Sequence, residues 1–188
     1  MLAQKSRASV TAVELDKDAA NQARFNVNRS PWAHRIMVKQ TSIQQFTQTN
    51  TESFDCIVSN PPFFDDALKG PDHQRNLARH TDTLSFADLT SVISTLLSDQ
   101  GSAWILLPAV SSKLFLEYAE KTGLHPEKII AIRSSERRQI HRHILILNRE
   151  CQRSKGKLLT EELLTIHELS SGYTQDVIRI MKPYYQFM

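Results

Sequence analysis

Phe54-Asp55-Cys56-Ile57-Val58-Ser59-Asn60-Pro61-Pro62-Phe63 is the stretch that decides how this 188-residue chain folds. Its first half is apolar and β-branched and predicts a buried strand. Cys56, inside that run, is expected in the core. The second half ends the strand abruptly. Prolines lack the N–H that a helix or sheet requires, and a residue before proline is pushed to extended backbone. A strand therefore delivers a side-chain amide, a fixed carbonyl and an aromatic ring to one corner.

Working outward, residues 10–15 (VTAVEL) predict a second buried strand, and Asp16 the N-cap of a helix. Ala19, Ala20, Ala23 and Val27 fall on one face of that helix, and residues 28–31 stop it. Residues 35–39 predict a short strand and 42–47 a single helical turn. After the prolines, residues 65–82 are polar around Gly70-Pro71 and read as a long loop, a feature often functional in a compact domain. A helix over 84–97, a very apolar strand over 103–107 and a helix over 111–121 follow. Residues 128–133 and 140–148 predict two last strands, an antiparallel pair. A polar linker at 152–156, a Leu-rich segment and a helix from Thr174 to about Lys182 complete the chain. Alternating strands and helices imply a mostly parallel α/β sheet covered on both faces, in one domain over residues 1–188.

Composition narrows the class. With 40% hydrophobic and 23% charged residues the chain buries a core, which excludes a mostly disordered protein. No apolar run approaches the roughly 20 residues of a membrane span, and the first residues carry no signal-peptide pattern. Cys56 and Cys151 are too few for a disulfide framework, so a reducing cytoplasm is the expected location. Seven histidines show no metal-ligand spacing. His141 and His143 alternate onto one strand face, but two ligands do not make a metal site. A net charge of +3 leans toward a polyanionic partner.

Two corners carry chemistry. Glu14 closes a strand just before a helix cap, where open α/β sheets bind ligands, and a carboxylate there can accept from both hydroxyls of a ribose. It would otherwise be a solvated strand end or a lysine's partner. At the second corner, an exocyclic amine on a base is a poor nucleophile, because its lone pair is delocalised into the ring. Two acceptors on its hydrogens drive the nitrogen toward tetrahedral geometry. The Asn60 side-chain oxygen and the Pro61 carbonyl can be those acceptors. Pro61 and Pro62 hold the carbonyl's direction with little entropy left to lose. Phe63 can stack on the base. An amine so held can attack a methyl sulfonium in line, with positioning and dipoles carrying the rate.

With these elements the chain resembles the class I S-adenosylmethionine-dependent methyltransferases that carry an Asn-Pro-Pro-aromatic motif. It is most similar to the bacterial family that methylates N6 of adenosine 37 in a valine tRNA. The resembling residues are Ala12-Val13-Glu14-Leu15, Asn28-Arg29-Ser30-Pro31-Trp32-Ala33-His34-Arg35-Ile36, Ser42-Ile43-Gln44-Gln45, Asn60-Pro61-Pro62-Phe63, Ala78-Arg79-His80-Thr81, Leu106-Leu107-Pro108 and Phe187-Met188. The resemblance implies a Rossmann-like sheet with an antiparallel last strand, and S-adenosylmethionine as cofactor. It implies that Glu14 holds the cofactor ribose, and that Asn60 and Pro61 hold the target amine with Phe63 against the base. Family members usually place an acidic residue near Ser42 against the cofactor's adenine; Ser42 offers a hydroxyl there.

The family also begins with a strand and a glycine-rich loop. This chain has five glycines, none in its first 69 residues and no two close enough for a Gly-x-Gly loop. The sequence therefore reads as N-terminally truncated, lacking the first strand and the loop. The expectations are unpaired strand edges, weak cofactor binding and a chain left inactive or unstable by loss of the cofactor loop; saturable micromolar binding by the 188-residue chain would refute the weak binding.

Arg75, Arg79 and His80 lie in the long loop after the prolines, where they could cover substrate and touch phosphates, or simply be solvated. Arg133, Arg137, Arg138, His141, Arg142 and His143 cluster around the last strand pair, as a tRNA-backbone surface or a hairpin with charged tips. The Asn60 corner is shared with ribosomal RNA guanine-N2 methyltransferases and with glutamine methyltransferases acting on release factors. A non-catalytic RNA-binding remnant is the reading from a different class.

Overall fold

The computed structural model describes residues 1–61, 84–149 and 159–185. They form two compact units, Met1–Glu52 and Ser53–Met188.

The first unit holds α1 (Leu2–Lys5), β1 (Val10–Glu14), α2 (Lys17–Asn28), β2 (Ile36–Gln40) and α3 (Ile43–Thr49). β1 and β2 pair in parallel from Val10↔Ile36 to Glu14↔Gln40. The predicted cap is present: Asp16 Oδ1 accepts the Ala19 N–H at 2.7 Å. Ala20 from α2, Phe46 from α3 and Ala3 from α1 are the buried apolar side chains. The Arg35 guanidinium donates to the carbonyls of Ala3 and Ala8, tying the segment before β1 to the start of β2.

The second unit holds β3 (Phe54–Ser59), α4 (Phe86–Leu96), β4 (Leu97–Pro108), α5 (Ala109–Lys121), β5 (His125–Arg133), β6 (Ile140–Asn148), β7 (Thr160–Thr165) and α6 (Gln175–Met181). The strand order is β3-β4-β6-β5-β7. β3 with β4 and β5 with β7 are parallel, and β6 runs antiparallel to both its neighbours. The antiparallel pair predicted for 128–133 and 140–148 is β5–β6.

The core of this unit lies between one sheet face and α4 and α5. Ala103, Ile105 and Leu107 from β4 and Leu145 and Leu147 from β6 are fully buried beside Phe115, Ala119 and Ile93. Phe86 meets Phe115 edge-on, centroids 5.3 Å apart, a favoured aromatic geometry. α4 starts with a capping box: Ser85 Oγ accepts the Asp88 N–H at 3.1 Å, and Asp88 accepts back from the Ser85 N–H.

Three expectations are corrected. Cys56 is exposed, not core. The period of two along β3 sends Ile57 into the core and Cys56 and Val58 to the opposite face, where Val58 stays 56% exposed. The strand expected at 103–107 extends over Leu97–Pro108, directly out of α4. The Leu-rich segment is itself a strand, β7, with α6 packed against it. Gly101 explains part of the β4 extension: a Cβ there would sit 2.9 Å from the Phe54 carbonyl oxygen, so only glycine lets the two backbones approach.

Candidate active site

Each unit presents one of the two predicted corners. In the first, Glu14 is the last residue of β1. Its carbonyl continues the ladder by accepting the Thr41 N–H at 3.0 Å. Its Oε1 accepts the Asp16 N–H at 2.8 Å, while Oε2 makes no hydrogen bond among the described residues. Gln40 Nε2 donates to the Leu15 carbonyl at 3.1 Å, locking the exits of the two strands together. Ser42 follows β2 at this rim and caps α3, its Oγ accepting the Gln45 N–H at 3.2 Å. The hydroxyl hydrogen of Ser42 is still available to donate.

In the second unit, β3 delivers Asn60 and Pro61. Asn60 is exposed and Pro61 buried. The Asn60 amide makes no hydrogen bond among the described residues. β3, β4, β5 and β7 all point their carboxyl ends to the same rim of the sheet, and β6 begins there. The register pairs Ser59 with Ile105 and Pro108 with Arg142. Asn60 is thus recessed below the β5–β6 turn, with Arg142 on the higher part of the rim.

Pro62, Phe63, Arg75, Arg79 and His80 lie outside the described residues. Of the predicted basic cluster, Arg137, Arg138 and His141 are exposed at and beside the turn, whereas His143 faces α5. His143 Nδ1 lies 3.0 Å from the Oγ of Ser112, a side chain only 4% exposed. Burial holds the His143 imidazole below its ordinary pKa, and the Glu161 carboxylate opposes this more weakly. Cys56 is exposed as a residue, yet partial burial still pushes its thiol up.

The His143–Ser112 contact escapes sequence reading, because no local spacing links residues on a strand and a distant helix. His167 and Tyr173, whose rings stack 4.9 Å apart, are by contrast near in sequence. A turn signal, Ser170-Ser171-Gly172, does lie between these two. An apolar cavity of about 420 Å³ opens beside α6, lined by Ile132, Leu164, Ile166 and Val177 among others. Tyr173 and Tyr185 are its polar-tipped lining residues. Among the described residues no group of three His, Cys, Asp or Glu could hold a metal, and no helix is long and apolar enough to cross a membrane.

The chain matches the family model UPF0020, described as RMKL-like, methyltransferase domain, over residues 2–131. A protein of Bacteroides fragilis is 37% identical over 189 residues, covering 98% of this chain and 76% of the relative. One from Shewanella baltica is 36% identical over 187 residues, covering 98% and 78%. One from Parabacteroides distasonis is 44% identical over 128 residues, covering 68% and 54%. All three are named tRNA1(Val) (adenine(37)-N6)-methyltransferase. Among solved structures, a predicted O-methyltransferase of Agrobacterium tumefaciens aligns with TM-score 0.65 at 17% identity, covering 93% of this chain and 77% of that one. A methyltransferase of Pyrococcus furiosus aligns with TM-score 0.53 at 20% identity, covering 79% and 66%. The shared fold is that of the class I S-adenosylmethionine-dependent methyltransferases.

Proposed function

The chain belongs to the UPF0020 family of RMKL-like methyltransferase domains, and from that membership we propose that it transfers a methyl group from S-adenosylmethionine to N6 of adenosine 37 in the anticodon loop of a valine tRNA. The observation that carries this is the Asn60 amide, exposed and without a hydrogen bond among the described residues, held at the carboxyl end of β3 against buried Pro61. The names of the relatives supply the base and the tRNA.

Glu14 fits the cofactor's ribose. It lies at a strand end where such ligands bind, and its Oε2 is free to accept from a hydroxyl while Oε1 is held by Asp16. Ser42, at the same rim, donates toward the adenine. The cofactor supplies an electrophilic methyl on a sulfonium. Asn60 Oδ1 and the Pro61 carbonyl accept the two hydrogens of the target amine, and so localise its lone pair for attack. Pro62 braces that carbonyl and Phe63 stacks on the base. Arg75, Arg79 and His80 hold flanking phosphates, and Arg142 extends that contact. An anticodon-loop base is already unpaired, so presenting it costs less than extracting one from a duplex. A tRNA substrate places this work in the cytoplasm.

Radiolabelled methyl transfer to total tRNA from a strain lacking the modification tests the reading. Label on N6 of adenosine 37 is expected. Label in ribosomal RNA or on a release-factor glutamine instead, or none in tRNA, would overturn it.

A further inference from the structure

We propose that the RNA extends from the Asn60 corner along the carboxyl rim of the five-stranded sheet, and that the exposed His167–Tyr173 ring pair stacks a nucleotide remote from the target while Arg137 and Arg138 take the backbone between. This rests on the reading above and adds to it a second docking point on the opposite flank of the sheet.

The sheet topology puts these groups on one line. β3 and β7 are the outer strands of the order β3-β4-β6-β5-β7, and both end at the same rim. Four strand intervals of about 4.8 Å separate them, about 19 Å in all. The β5–β6 turn rises between, since Arg133 pairs with Ile140 beyond the level of Pro108 and Arg142. After β7 the chain stays hydrogen-bonded to that turn. The Ile166 N–H donates to the Arg133 carbonyl at 3.0 Å and the His167 N–H to the Ser134 carbonyl at 2.9 Å.

The ring pair is built rather than incidental. His167 and Tyr173 form an antiparallel bridge closing a tight turn, and His167 Nδ1 lies 3.2 Å from the Gly172 carbonyl. Gly172 has φ +87°, a conformation that favours glycine. The rings are inclined at 27° and stacked, and Tyr173 is 43% exposed. An ordered, partly exposed aromatic surface, on the same rim as arginines without a partner among the described residues, has the composition of a platform for unstacked bases. The side chains of Arg137 and Arg138 are exposed and make no hydrogen bond or ion pair among the described residues. Arg133 is held by Thr165 Oγ1 at 2.9 Å and the Glu136 carbonyl, with no carboxylate partner among the described residues. Among the described residues, Glu136 in the β5–β6 turn and Glu168 after β7 are the acidic neighbours in sequence. Arg137 and Arg138 thus stand as two exposed cations on the described part of this rim.

The test is binding of full-length unmodified valine tRNA by fluorescence anisotropy across 50–200 mM KCl, beside the methyl-transfer assay. R137Q/R138Q is expected to make the slope of log K against log salt shallower by about 1.4 to 1.8, two phosphate contacts' worth. Y173L is expected to weaken binding about 5- to 150-fold, with Y173F near the parent. H167Q, at an exposed position, should also weaken it and guards against a folding defect in Y173L. Parental slope in R137Q/R138Q with parental affinity in Y173L and H167Q overturns the docking surface while methyl transfer to tRNA continues. Binding sensitive to these variants with no methyl transfer by the parent upholds the surface and sinks the proposed reaction. Failure of the parent to bind tRNA sinks both.

Discussion

The backbone N–H of Asp16 donates to Glu14 Oε1 at 2.8 Å, while the Asp16 side chain caps α2 through Ala19. One residue therefore starts the helix and orients the acid that ends the strand. Glu14 is thereby held with Oε1 satisfied, while Oε2 makes no hydrogen bond among the described residues.

Glu14→Gln is expected to weaken S-adenosylmethionine binding about 10- to 150-fold, because hydrogen bonds to a charged acceptor are worth about 1.5–3 kcal/mol. Titration calorimetry of the variant against the parent reads this directly. Equal affinities would remove Glu14 from the cofactor.

Asn60→Ala should lower kcat about 10²- to 10³-fold, the usual cost of deleting one positioned polar group at a reacting centre. Asn60 is exposed and makes no hydrogen bond among the described residues, so stability should stay within about 0.5 kcal/mol of the parent. Single-turnover methyl transfer with a matched urea melt separates the two effects. Parental turnover would refute the role.

Gly101→Ala should destabilise the fold by about 1–3 kcal/mol. The added Cβ meets the Phe54 carbonyl oxygen, Leu97 Cδ1 and Ser98 Oγ, each at 2.9 Å, and the carbonyl belongs to a paired strand that cannot swing away. A lower urea midpoint at unchanged m-value is the expected signature.

His143 sets an acid limb. Its folded pKa lies below the unfolded value of about 6.5, so below that pH the unfolded chain binds more protons. The stability His143 contributes is complete above pH 6.5 and is lost as pH falls through its folded pKa. His143→Gln, which can keep a hydrogen bond to Ser112 without titrating, should flatten stability between about pH 7 and pH 5. A parental slope in the variant would assign the limb to other groups.

Local chemistry made the elements legible and long-range pairing did not. The cap at Asp16, the end of β3 at Asn60 and the β5–β6 pair follow from side-chain type and period, and all are present. Cys56 was misplaced because an apolar run does not say whether one or both faces of its strand are covered. β7 was missed because Thr160-Glu161-Glu162-Leu163-Leu164-Thr165 lacks clean alternation; pairing with β5 and the Lys128–Glu162 ion pair at 2.7 Å help to define it. At the site, Glu14 and Asn60 were readable as strand ends. The Asp16 N–H bond to Glu14 is not readable in this way, since it depends on how the chain turns after β1.

Because β6 runs against its neighbours, the β5–β6 connection is a short turn at the rim; a parallel strand would need a crossover of a dozen or more residues. None of Ser134, Ser135, Glu136, Arg137, Arg138 or Gln139 belongs to the buried core. Ser134 and Glu136 are engaged through their carbonyls, but a change of length at Arg137–Gln139 leaves the ladder beneath undisturbed. The turn's exposed tip is thus decoupled from the hydrogen-bonding that fixes the sheet, so its side chains can change without cost to the ladder.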